Sequence, residues 1–62
     1  MSNAARAAIK GTAFTFISLT NARGFASKGR KNWIVTNGEG YVVVVPADAV
    51  RLECHGYEIV LS

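Results

Sequence analysis

Apolar positions in this chain fall into short runs broken by glycine, asparagine and charge, and the spacing within the runs is mostly that of strands. Residues 12–20, Thr-Ala-Phe-Thr-Phe-Ile-Ser-Leu-Thr, are dense in the β-branched and aromatic side chains that favour a pleated, half-buried surface. A period of two puts Phe14 and Phe16 on one side with Thr12, Ser18 and Thr20, and Ile17 and Leu19 on the other with Ala13 and Thr15. Both sides are partly apolar, which predicts a curved strand that changes sides, as in a small barrel or a strongly twisted sheet. Further on, Trp33–Thr36 reads as a short strand, and Asn37-Gly38-Glu39-Gly40 is the strongest turn signal in the chain. The turn predicts antiparallel pairing with residues 41–45. Consecutive valines from Val42 to Val45, between Tyr41 and Pro46, leave that strand no polar side, so it should be central and covered on both faces.

Pro46 and Asp48 carry helix-start chemistry, with the carboxylate able to satisfy free N–H groups of a first turn. The preferred reading is a single helical turn there, then a strand over 50–54 with Val50, Leu52 and Cys54 on one face. His55-Gly56 would turn it into a last strand carrying Tyr57, Ile59 and Leu61. A helix over 46–55 is the competitor, since Ala47, Val50, Leu52 and Cys54 also fit a helical stripe. The hairpin would set Glu53 against Glu58, a repulsive pair that counts against it unless Arg51 or a partner's cation relieves it. At the other terminus, residues 1–10 are alanine-rich, with Ser2 or Asn3 as a cap, Arg6 and Lys10 on one face, and Gly11 as a stop. A helix this short must dock on the sheet or stay loose.

The expected fold is therefore mainly all-β, a single domain with an arm or short helix over 1–11 and a β core over 12–62. Five short strands, one long loop and a one-turn helix before the fourth strand resemble, in element order only, the small SH3-like and OB-like barrels. A five-stranded barrel or a strongly twisted antiparallel sheet is the prediction.

Composition narrows the class. The chain has 62 residues, of which 50% are hydrophobic and 18% charged, too apolar for disorder and near the lower size limit for an unstapled domain. A core of this size supplies about 3–5 kcal/mol, which leaves a homodimer open as a means of gaining more. Cys54 is the only cysteine, so there is no internal disulfide, and no Cys/His spacing suggests zinc. Those features predict a reducing, cytoplasmic setting without metal or cofactor. The apolar runs are far too short to span a membrane, and the N-terminus lacks a signal-peptide core. A transit peptide is disfavoured because its removal would leave too little chain to fold.

Charge is unevenly placed. Residues 1–38 contain six cations and no acid, whereas residues 39–62 contain Arg51 against Glu39, Asp48, Glu53 and Glu58. Such a split orients an anionic partner better than the net +3 suggests, although it is also compatible with an ordinary solvated surface.

The densest basic stretch is 21–33, read as a flexible glycine-containing loop. Arg23, Lys28, Arg30 and Lys31 are placed to neutralise phosphates, with Lys10 and Arg6 in support. Phe25 either stacks on an unpaired base or folds back to cap the core, and Trp33 is expected to fill the core. Gly24 and Gly29 have the separation of a phosphate-cradling loop, but Arg30 and Lys31 stand where Lys and Ser/Thr are required, and no strand-to-long-helix context follows. Cys54 and His55 are adjacent, which on a strand sends them to opposite sides. Cys54 is expected in the core and His55 in a turn. No catalytic residues emerge, and an enzyme is not expected.

These features point to a non-catalytic module that binds DNA or RNA through the basic loop. The alternative is a small interaction or inhibitor protein, of the phage or mobile-element type, that docks on an acidic surface of a host protein through its valine-rich edge or acidic C-terminal segment. A structural subunit of a larger assembly is a third reading.

Overall fold

The computed structural model describes residues 3–28 and 32–61. Three helices and four strands follow in the order α1 (Asn3–Ala8), β1 (Phe14–Phe16), α2 (Leu19–Ala26), β2 (Trp33–Thr36), β3 (Tyr41–Val44), α3 (Pro46–Glu53) and β4 (Glu58–Leu61). The strands form one antiparallel sheet in the order β1-β3-β2-β4. This corrects the expected all-β barrel. The outer strands β1 and β4 do not pair, so the sheet stays open, and two stretches expected as strand or loop are helices that cover its faces. The result is a mixed α/β sandwich, with α1 and α3 on one face and α2 on the other.

The β2–β3 hairpin is as the turn signal predicts, with Trp33 opposite Val44 and Thr36 opposite Tyr41. Its turn is held by side chains. The Thr36 hydroxyl donates to the Gly40 carbonyl and accepts from the Gly38 N–H, and the Glu39 N–H donates to Asn37 Oδ1. Alternation then divides the apolar residues between two cores. Val35, Val42 and Val44 join Ala5, Ala49, Leu52 and Tyr57 under α1 and α3, with Trp33 and Ile59 packed alongside. Ile34 and Val43 meet Ala22 and Ala26 of α2, with Phe16, Leu19, Phe25 and Tyr41 at the margin. The valine strand thus lacks a polar side because both of its faces are covered. Burying each such side chain is worth about 1.5–3 kcal/mol.

The α3 helix replaces the expected turn and fourth strand. Pro46 supplies the preset φ of a first helical residue, and Asp48, Ala49 and Leu52 form the buried stripe. The decisive residue is Gly56, at φ +89°, which ends a helix instead of turning a hairpin. Its N–H donates to the Glu53 carbonyl and the Tyr57 N–H to the Leu52 carbonyl, the paired bonds of a Schellman end, and Tyr57 then packs in the same core as Leu52. Two further expectations change with it. Cys54 is exposed at the helix end and not in the core. Glu58 lies opposite Thr36 on β2, so the repulsive Glu53–Glu58 pair does not arise.

The strand expected over 12–20 stops at Phe16, and the loop expected over 21–33 is helical as far as Ala26. Ser18 has extended backbone and its hydroxyl accepts from the Asn21 N–H at 3.4 Å, the bond of an N-cap. Leu19, Ala22, Phe25 and Ala26 then recur at the three- and four-residue spacing of one helical face.

At the N-terminus, α1 docks on α3, with Ala5 fully buried. The chain beyond it is clamped by Asp48, whose carboxylate accepts from the Lys10 N–H at 3.1 Å and the Gly11 N–H at 2.8 Å. A Cβ at position 11 would lie 2.9 Å from Asp48 Oδ2, so any other residue there would have to displace the clamping carboxylate.

Candidate nucleic-acid interface

The structure places the sequence-predicted residues in two layers. Arg23 and Lys28 are exposed on and just after α2, whereas Arg6 and Lys10 are exposed on and just after α1, across the sheet. Arg30 and Lys31 lie outside the described residues. Among the described residues neither Arg23 nor Lys28 is paired with a carboxylate, and Arg23 sits in the last turn of α2, where a cation complements the helix dipole. Arg51 is committed elsewhere, with Nη1 donating to Asp48 Oδ1 at 2.8 Å.

Phe25 folds back on the sheet. Its ring centroid is 4.7 Å from that of Phe14 and 5.3 Å from that of Phe16, with tilted planes, an arrangement that caps the α2-side core. The aromatic left most open in this cluster is Phe14, 45% exposed. Sequence reasoning did not single it out. Its signal was the alternation with Phe16 on a strand that turned out to be the sheet's outer one.

Topology turns the charge split of the sequence into a polarity along the strands. The hairpin turn carries Glu39, α3 runs back from Pro46 to finish at Glu53, and β4 begins at Glu58 opposite Thr36, so three exposed carboxylates gather at the turn end of the sheet. Lys10 and Gly11 are held at the opposite end, beside Val45 and the first turn of α3. The chain also leaves α2 at Lys28 and returns to the sheet at Trp33, opposite Val44.

Asp48, 1% exposed, is the only buried charged residue among those described. Burial pushes its carboxyl up, but the Lys10 and Gly11 N–H groups and the Arg51 guanidinium together outweigh this and hold it below the usual carboxylate range. Its carboxylate binds two backbone N–H groups and the Arg51 guanidinium.

Two open depressions adjoin these features. One, about 470 Å³, lies at the turn end among Phe16, Ile17, Glu39, Tyr41 and Tyr57. The other, about 300 Å³, is lined by Arg6, Ile9, Gly11, Ala13 and Thr15. No group of three or more His, Cys, Asp or Glu is placed to hold a metal among the described residues, and none of their helices is long and apolar enough to cross a membrane. Comparison with protein-family models, curated proteins and solved structures finds no match to this chain.

Proposed function

We propose that the chain is a non-catalytic nucleic-acid-binding module. Arg23 and Lys28 contact phosphates from the α2 side, Lys10 contributes from the same end of the sheet, and Arg30 and Lys31 add charge from the intervening segment. The observation that carries this reading is the pair of exposed cations at the end of α2, neither paired with a carboxylate among the described residues, on a stretch of sequence without any acid. Because Phe25 is engaged with Phe14 and Phe16, base stacking is a minor part of the reading and phosphate contact the major part. A single exposed thiol, Cys54, suits a reducing, cytoplasmic setting.

The test is a titration of the purified protein with labelled single-stranded DNA, duplex DNA and RNA over a salt series. Binding should weaken steeply with salt, and Arg23→Ala with Lys28→Ala should lower the slope of log K against log salt by about two on duplex DNA, near 0.9 per lost phosphate contact. Absence of binding at low salt, or a slope unchanged in the double variant, would refute the reading and favour a protein partner.

A further inference from the structure

Ile17 is the most exposed large apolar side chain among the described residues, at 93%. It sits between β1 and the Ser18 cap of α2, on the wall of the 470 Å³ depression that also includes Phe16, Tyr41 and Tyr57. Glu39 lines the same depression, and Glu53 and Glu58 stand at the same end of the sheet. An isolated surface isoleucine needs no explanation, but one beside an aromatic-lined hollow with an acidic surround has the make-up of an interface: an apolar centre and a charged rim.

The complement of this surface is at the opposite end of the same molecule. Val45 is 41% exposed there, its side chain within 3.6 Å of where a Cβ on Gly11 would lie, and the exposed Lys10 adjoins it. An apolar knob flanked by a cation thus faces away from an apolar hollow flanked by carboxylates. We propose that copies of this chain associate head to tail, the Lys10–Val45 end of one seating on the Ile17 depression of the next.

The alternatives for self-association fit less well. Two Ile17 surfaces meeting about a two-fold axis would bring their carboxylates together. Edge-to-edge pairing of sheets is blunted on both sides. β1 has only three residues, and the register of β4 slips between its pairing with Ile34 and with Val35, leaving Val60 as the extra residue of a bulge. A head-to-tail contact uses two different surfaces, so it propagates until one surface is blocked.

The experiment is sedimentation of nucleic-acid-free protein from about 10 µM to about 1 mM, at low and high salt. The weight-average mass should rise above the 6.6 kDa monomer with concentration and fall back in high salt. Ile17→Asp blocks one surface, and Lys10→Gln with Val45→Asn blocks the other; Ile17 and Lys10 are exposed, and asparagine is a good helix cap at position 45, so both variants should keep the native circular dichroism. Each variant alone should be monomeric, and an equimolar mixture should form a complex of twice the monomer mass and no larger. A wild-type chain that is monomeric throughout, variants that still assemble alone, or a mixture that stays monomeric would each overturn the proposal. A chain that binds nucleic acid yet never self-associates would overturn this inference alone.

Discussion

Helices α2 and α3 have the same length and cover opposite faces of one sheet, yet they are held in very different ways. α3 opens on Pro46, closes on a Schellman end at Gly56, buries Leu52, and is tied through Asp48 to the backbone at Lys10 and Gly11. α2 has a long capping bond at Ser18, a glycine in its middle, and only two buried residues, both alanines, with Phe25 half-buried at its margin. Arg23 and Lys28, two of the cations proposed to bind phosphate, ride on the less secured layer, whereas Lys10 follows α1 on the other face. Local stability follows buried apolar area and protected hydrogen bonds, so hydrogen exchange should be faster in α2 than in α3.

The largest way to collapse the difference is to empty the α3 core. Leu52→Ala, at a fully buried position, should cost about 2–5 kcal/mol in denaturant unfolding, enough to leave a domain of this size largely unfolded. A loss below about 1 kcal/mol would mean that the α3 face repacks freely. Next, Asp48→Ala should cost about 2–3 kcal/mol, because it strands the Lys10 and Gly11 N–H groups and frees Arg51. The same carboxylate gives an acid limb. Its folded pKa lies below the ordinary 3.8, so its contribution is full above that pH and is lost as pH falls through the folded value. Asp48→Asn should remove that part of the acid sensitivity, and an unchanged acid limb would assign it to other groups.

Smaller changes should act on α2. Gly24 is exposed in mid-helix, and a Cβ there meets nothing within 4 Å, so Gly24→Ala should stabilise by about 0.5–1 kcal/mol and slow α2 exchange without moving α3. Ser18→Ala should cost about 0.5–1 kcal/mol, toward the low end given the 3.4 Å bond, and should raise exchange in the first turn of α2. If either change altered both helices equally, the two layers would be one cooperative unit.

The central hairpin was legible because its signals agree. Asn37-Gly38 specifies a turn, and the valines specify burial on both sides. The flanking segments misled because local patterns there support two readings. Val50 to Cys54 alternates like a strand, and only the spacing from Pro46 to Gly56, a helix start and a helix stop, marks the helix between. Likewise Ser18, read as a strand residue on the face of Phe14 and Phe16, is the cap that begins α2. With one expected strand lost to α3 and the first cut short ahead of α2, a barrel could not close. As for the candidate site, the cations were visible in the sequence, but their division between two faces follows from the helix assignments. Phe25 was evenly balanced until its neighbours Phe14 and Phe16 were placed under it.

The Asp48 clamp also bears on the order in which the chain assembles. It joins positions 37 and 38 residues apart, whereas the β2–β3 hairpin closes over a short loop. Closing the longer loop costs more chain entropy, so the hairpin should form early and the clamp late, after α3 has docked. A contact made after the rate-limiting barrier leaves the refolding rate almost untouched and acts on escape from the native state. Loss of the Asp48 carboxylate should therefore appear in stopped-flow experiments as accelerated unfolding. On that account, a carboxylate that ties α3 to the chain after α1 sets the lifetime of the native molecule.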